Sequence, residues 1–201
     1  MPDLILLRHG QSQWNLENKF TGWVDVPLSE RGIEEARQAG RKLAGRRLDL
    51  VFTSVLHRAI ETARLALEVA GLTAVPTARD AALNERMYGD LQGMDKDQAR
   101  EKFGAEQVHV WRRSFDVRPP GGESLADTAA RVVPYWVAAI LPELRAGRNV
   151  LIAAHGNSLR ALAMHIEGLT TDEVLALEIP TGVPILYEIS DAGAMLRKRT
   201  L

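Results

Sequence analysis

The chain has no cysteine among its 201 residues. Disulfides, thiolate nucleophiles and cysteine-ligated zinc are therefore excluded, and a reducing compartment, the cytoplasm, is the expected setting. No apolar run approaches the ~20 residues of a membrane helix. Leu4–Leu7 is too short for the core of a secretory signal and no basic segment precedes it, so neither export nor a membrane is expected. An excess of one charge is missing too: 25 Lys and Arg face 26 Asp and Glu, a formal net charge of −1. With no global basic field, and no basic stretch interleaved with aromatics, nucleic acid is not an expected partner. The sequence also has no GxxxxGK[ST] phosphate loop and no GxSxG nucleophile elbow. His57, His109 and His165 show no ligand spacing with the other two histidines, so no metal is expected.

What is present is an ordinary globular composition, 46% apolar and 25% charged, long enough for one domain over residues 1–201 with a sizeable core. Strand and helix signals alternate. Leu4–Leu7 and Val150–Ala154 are continuous apolar runs, as in strands covered on both faces. Leu48–Ser54, Ala74–Thr77 and Val183–Ile189 read as further strands. Ser29 suits the N-cap of a helix carrying Ile33, Ala36, Gly40 and Leu43 on one face, with Gly45 at its stop. Leu56–Ala70 has the next helical stripe, and Gly71 lies beyond its end. Residues 78–94 are irregular and helices are expected at 95–115. After the turn-rich Arg118–Ser124, a helix over 124–145 bends at Pro134, and another covers 158–167. This alternation predicts an α/β three-layer sandwich, a mostly parallel twisted sheet with helices on both faces.

Two strands end on the same pair of residues. "LILLRHG" breaks at Arg8-His9-Gly10, and "VLIAAHGN" breaks at His155-Gly156. Ligands of such sheets bind beyond the carboxyl ends of the strands. An isolated histidine there is most simply a local hydrogen-bonder, but these two have telling neighbours. Ser12, Asn15, Thr21 and Gly22 follow the first, and Gly156, Asn157 and Ser158 open a helix after the second. Hydroxyls, amides, an arginine and a helix N-terminus together suit an oxyanion, phosphate best. Arg58, Lys96, Arg112 and Arg113 are each compatible with a solvated surface charge and enter only as a set that could converge. Glu85 in "LNERMYGDLQG" is either a loop carboxylate paired with Arg86 or a proton relay at a reacting oxygen.

"LLRHGQSQWN" resembles the phosphohistidine signature of the histidine phosphatase superfamily. "NKFTGWVDVPLSERG", "TSVLHRAIET", "LNERMYGDLQG", "VWRRSFDVRPP" and "IAAHGNSLRAL…IPTGVP" are similar to blocks of its cofactor-dependent phosphoglycerate mutases, in the same order over about residues 4–189. The resemblance implies interconversion of 3- and 2-phosphoglycerate in glycolysis and gluconeogenesis, primed by 2,3-bisphosphoglycerate, by a cytoplasmic enzyme that acts on small phosphoglycerates; a homo-oligomeric dimer is the first expectation for its assembly, with monomer and tetramer as the alternatives. It implies His9 as the phosphoryl carrier, Arg8, Arg58 and His155 as its phosphate clamp, and Glu85 as the acid/base. It implies Ser12, Asn15, Thr21, Gly22, Gly156 and Asn157 around the phosphate, and Tyr88, Lys96, Arg112 and Arg113 on the rest of the substrate. The chain departs from many relatives at Gln11 and Met87, in a short tail, and in a very short segment between Pro120 and Glu123. A short cover admits water, which makes hydrolysis of small phosphate esters the alternative to the mutase. A non-catalytic phosphometabolite-binding module is the third reading, and the presence of both His9 and Glu85 argues against it.

Overall fold

The computed structural model describes all residues, Met1 to Leu201. In chain order it runs β1 (Asp3–Arg8), α1 (Gln13–Leu16), α2 (Glu30–Leu43), β2 (Leu50–Thr53), α3 (His57–Ala70), β3 (Thr77–Arg79), α4 (Lys96–Phe103), α5 (Ala105–Arg113), α6 (Leu125–Tyr135), α7 (Leu141–Arg145), β4 (Val150–Ala154), α8 (Gly156–Glu167), α9 (Thr171–Ala176), β5 (Pro184–Ile189) and β6 (Met195–Thr200). The strands form one sheet in the order β3-β2-β4-β1-β5-β6. The first four in that order are mutually parallel, and β5 and β6 add antiparallel pairs at the far edge.

The alternation of side chains along the central strands explains the three layers. Leu4 and Leu6 of β1, with Val150, Ile152 and Ala154 of β4, pack against Val132, Trp136, Ile140 and Leu144, and Leu159 and Leu162 of α8. Ile5 and Leu7, with Leu151 and Ala153, face Ala39 and Leu43 of α2 and Ala63, Ala66 and Leu67 of α3. Both faces of β1 and β4 are therefore buried, as their unbroken apolar runs require. Small residues set the approach of α2 to α3: a Cβ on Gly40 would stand 2.5 Å from the Ala66 carbonyl oxygen.

Several boundaries follow local chemistry. Ser29 accepts the Gly32 N–H and caps α2, and Gly71 closes α3 in the left-handed conformation at φ 71°. Pro134 lies in the last turn of α6, and a π turn over Trp136–Ile140 leads into α7, so the expected long helix is divided in three. Helix α8 begins two residues before the expected position, at Gly156. The third strand lies at Thr77–Arg79 rather than 74–77. Strand β6 has no counterpart in the sequence reading. Its Leu196-Arg197-Lys198-Arg199 run is exposed and lacks alternation, and pairing with β5 alone makes it a strand.

Candidate functional site

Strands β1 and β4 are parallel neighbours with Arg8 opposite Ala154, so the next residues, His9 and His155, leave the sheet side by side. The His9 N–H extends the ladder to the Ala154 carbonyl at 2.9 Å, and the two imidazole centroids lie 5.0 Å apart. Helix α2 packs on one face of the sheet and α8, which follows β4, on the other, which opens a crevice at this edge.

His9 is buried, with Nδ1 2.6 Å from the Gly10 carbonyl oxygen. A carbonyl only accepts, so Nδ1 carries the proton and Nε2 the free lone pair. Burial, then the charges of Arg58 and Arg8, hold its pKa well below the usual histidine value, against the opposing carbonyl. His9 is thus a neutral imidazole of fixed tautomer, whose Nε2 lone pair is chemically able to attack an electrophile. His155 behind it is depressed likewise by burial, Arg58, His9 and Arg8; its Nε2 lies 2.7 Å from Ser54 Oγ, and its buried Nδ1 has no protein partner. Gly10 is required by the packing of the site. A Cβ there would stand 2.2 Å from the Gly32 carbonyl oxygen, so Gly10 lets α2 seat against the strand end.

Two guanidinium groups flank the histidines. Arg58, near the start of α3, donates to the Gly22 and Val24 carbonyls at 2.7 and 3.0 Å, and burial above all pushes its pKa down to about 10. Arg8 donates to the Ile179 carbonyl at 2.8 Å. It lies flat on Gly156, where a Cβ would come within 3.3 Å of its guanidinium carbon. The Nε atoms of both arginines are buried without a protein partner. Buried cationic donors of this kind call for an anion with several oxygens.

Glu85 lies in the same cavity, of about 260 Å³. Its Oε1 accepts the Arg86 N–H at 2.8 Å and the Asn157 N–H of α8 at 3.1 Å, which leaves Oε2 for a ligand. Arg86 is not its ion-pair partner: that guanidinium donates to the Trp111 carbonyl and stacks 4.7 Å above the Tyr88 ring.

The outer end of the cavity is lined by Lys96, Arg112, Arg113 and Tyr88, and Asn15, Thr21, Gly22, Gly156 and Asn157 line the remainder. Burial, with Arg112 and Arg8 nearby, lowers the Lys96 pKa to about 8. Burial also lowers that of Arg112. Arg113 meets Glu178 at 3.2 Å at the mouth. Ser12 is buried but does not line the cavity; its hydroxyl accepts the Asn15 N–H at 3.1 Å and caps α1. Six further lining residues, Lys19, Phe20, Arg160, Leu177, Glu178 and Ile179, have no site role in the sequence analysis. Arg160 lies one turn beyond Asn157 on α8 and donates to its Oδ1 at 3.2 Å; that helical spacing was the available signal. Glu178, in the loop after α9, had none.

The short Pro120–Glu123 segment is braced rather than loose. The Pro120 carbonyl accepts the Asp90 N–H at 2.9 Å, and the Glu123 N–H donates to the Met87 carbonyl at 2.8 Å. A Cβ on Gly89 would stand 2.2 Å from the Pro120 oxygen, so that glycine, at φ 55°, admits the brace.

A family model of the histidine phosphatase superfamily (branch 1) matches residues 4–199. A 2,3-bisphosphoglycerate-dependent phosphoglycerate mutase of Chelativorans sp. (strain BNC1) is 58% identical over 200 residues, spanning 98% of this chain and 97% of the relative. One of Methylobacterium sp. (strain 4-46) is 59% identical over 200 residues, spanning 98% and 96%. Among solved structures, Bacillus stearothermophilus YhfR superposes with a TM-score of 0.86 at 28% identity over 98% of this chain and 95% of that one. A mycobacterial glucosyl-3-phosphoglycerate phosphatase complexed with VO3 superposes with a TM-score of 0.81 at 31% identity, over 100% and 97%. A match across nearly the whole chain, and more than half of all residues shared with those mutases, show that this chain belongs to branch 1 of the histidine phosphatase superfamily and, within it, to the 2,3-bisphosphoglycerate-dependent phosphoglycerate mutases.

Proposed function

We propose that this chain interconverts 3-phosphoglycerate and 2-phosphoglycerate in glycolysis and gluconeogenesis through a phosphorylated His9. The observation that carries the reading is the neutral, tautomer-fixed His9 in a cavity that also holds Glu85 and a set of buried cations. His9 Nε2 gives its lone pair to phosphorus as the phosphorus–oxygen ester bond breaks, and Glu85 supplies the proton to the leaving oxygen. In the return step Glu85 takes the proton of a glycerate hydroxyl, which attacks phosphorus and frees His9. Arg8, Arg58 and His155 balance the charge on the transferring oxygens, with Asn15, Thr21, Gly22 and the N-terminal turn of α8 beside them. Lys96, Arg112, Arg113 and Tyr88 hold the carboxylate and second phosphate.

The same residues fit 2,3-bisphosphoglycerate. The unpartnered Arg8 Nε and Arg58 Nε belong to lining residues and suit one phosphate, with the unpartnered His155 Nδ1 buried behind His9, and the outer lysine and arginines suit the other with the carboxylate. When bound, that compound supplies the phosphoryl group that primes His9. Retention of a doubly phosphorylated molecule by these cations is what makes a mutase rather than a phosphatase, and the cytoplasmic setting and a dimeric state belong to the same proposal.

Phosphatase activity is the second reading, favoured by structural neighbours such as the glucosyl-3-phosphoglycerate phosphatase and by the short Pro120–Glu123 cover. Phosphorus NMR with 3-phosphoglycerate, with and without trace 2,3-bisphosphoglycerate, separates the two. The mutase makes 2-phosphoglycerate in dependence on the trace compound while inorganic phosphate stays flat. Accumulation of inorganic phosphate would transfer the assignment to the phosphatase.

A further inference from the structure

Glu85 sits on an irregular segment, where no helix or sheet ladder fixes its main chain. Its carbonyl is nonetheless held from two sides. The Trp23 indole N–H donates to it at 2.6 Å, and the Arg131 Nη2 of α6 donates at 2.8 Å. The other terminal nitrogen of Arg131 donates to the Ala82 and Asn84 carbonyls at 2.8 and 3.0 Å. Arg131 is in turn gripped by Glu123: Nε meets Oε1 at 3.0 Å and Nη2 meets Oε2 at 2.9 Å. Glu123 Oε2 also accepts the Met87 N–H at 3.1 Å. The two side chains therefore bracket residues 82–87, one holding carbonyls and the other an N–H. The Arg131 guanidinium also lies 5.5 Å over the Trp23 ring, which ties the bracket to the Gly22 loop that Arg58 holds.

The geometry points to Arg131 and Glu123 as positioning residues that set the Glu85 carboxylate against the substrate oxygen, a role that rests on the acid/base reading of Glu85. Three features favour it over a simple tie between α6 and a loop. The side chains are only 20% and 22% exposed, so the fork is held with little competition from water. Of the five polar contacts on Arg131 nitrogens at 3.0 Å or less, three go to the carbonyls of residues 82, 84 and 85 and two to Glu123, which itself holds the Met87 N–H, so the whole planar donor set serves the bracket around residues 82–87. Glu85 itself receives no cation from the pair; Arg131 reaches its carbonyl and leaves the carboxylate free for proton transfer. An ammonium group cannot reproduce a fork to five acceptors, so Arg131→Lys keeps the charge and loses the alignment.

A displacement of about 1 Å at a reacting group can cost roughly 100-fold in rate. Arg131→Lys is therefore expected to lower mutase kcat about 10- to 100-fold with KM for 3-phosphoglycerate changed less than about twofold. Glu123→Gln, which keeps an acceptor for the Met87 N–H, should lose less. The stoichiometry of acid-labile phosphate on His9 after incubation with 2,3-bisphosphoglycerate should match that of the unmodified protein, because the inner site stays assembled. The deciding experiment is a cycle with Glu85→Gln. If Arg131 acts through Glu85, Arg131→Lys costs nothing further in the Glu85→Gln background. An equal loss in both backgrounds, or an unchanged kcat in the folded Arg131→Lys protein, would overturn the positioning role while leaving Glu85 as acid/base. Full activity in Glu85→Gln alone would instead remove the acid/base reading, and this role with it.

Discussion

The two ends of the cavity are built differently. At the inner end His9, His155 and Arg58 are 2%, 0% and 1% exposed and stand at strand ends or in the first turn of α3. Each is fixed by a main-chain carbonyl or a buried hydroxyl. At the outer end Arg113 and Glu178 have side chains 39% and 73% exposed, on α5 and on the loop after α9, and they hold each other. Phosphoryl transfer depends on fixed atoms at one phosphorus, which a sheet edge supplies. Retention of a multiply charged acid depends mainly on the number of cations nearby, which short helices supply without the same precision.

Substitutions should break that contrast unequally. The largest effect is expected at the inner end: His9→Ala should leave no acid-labile phosphate on the protein after incubation with 2,3-bisphosphoglycerate, and persistent labelling would overturn its role. At the outer end, Arg112→Ala or Arg113→Ala removes a charge-assisted contact and should raise KM for 3-phosphoglycerate about tenfold, with kcat changed only a few-fold. Unchanged KM in both variants would remove that end from substrate binding. Lys96 gives a pH signature. It is cationic below about 8 and neutral above, so kcat/KM should fall as pH rises through that value. Lys96→Arg should abolish that limb, and a limb that persists must belong to another group. The smallest effect is expected from Glu178→Gln, which releases Arg113 from an exposed ion pair; KM should drop by about twofold or less at low ionic strength and the difference should vanish in high salt.

Legibility followed the same division. The His9 and His155 strand ends could be read in the chain because burial on both faces of a strand leaves an unbroken apolar run, and the break itself marks the sheet edge. Thr21, Gly22 and Asn157 were legible as candidate anion ligands from their types and neighbours, whereas Arg58 stood apart from the other arginines only through the family resemblance. Arg160 was not read: its one-turn spacing from Asn157 is a signal, but one more arginine on an amphipathic helix looks like a surface charge until the helix is placed. The partner of Glu85 could not be read either. Arg86 is adjacent in sequence, yet its side chain turns away to Trp111 and Tyr88, and the groups that hold the Glu85 segment come from residues 23, 123 and 131.

The sequence by itself determined the layered α/β class, the limits of α2 and α3 and the presence of two histidines at strand ends. Apolar periodicity, caps and glycine stops act over a few residues and need no partner to be recognised. Tertiary structure alone decided that β4 lies beside β1, so that the two histidines meet, and that β6 is a strand at all. It also decided which of the many arginines line the cavity and which are solvated. Strand order and the burial of a charge are set by packing between segments far apart in the chain, where neighbouring residues carry no signal.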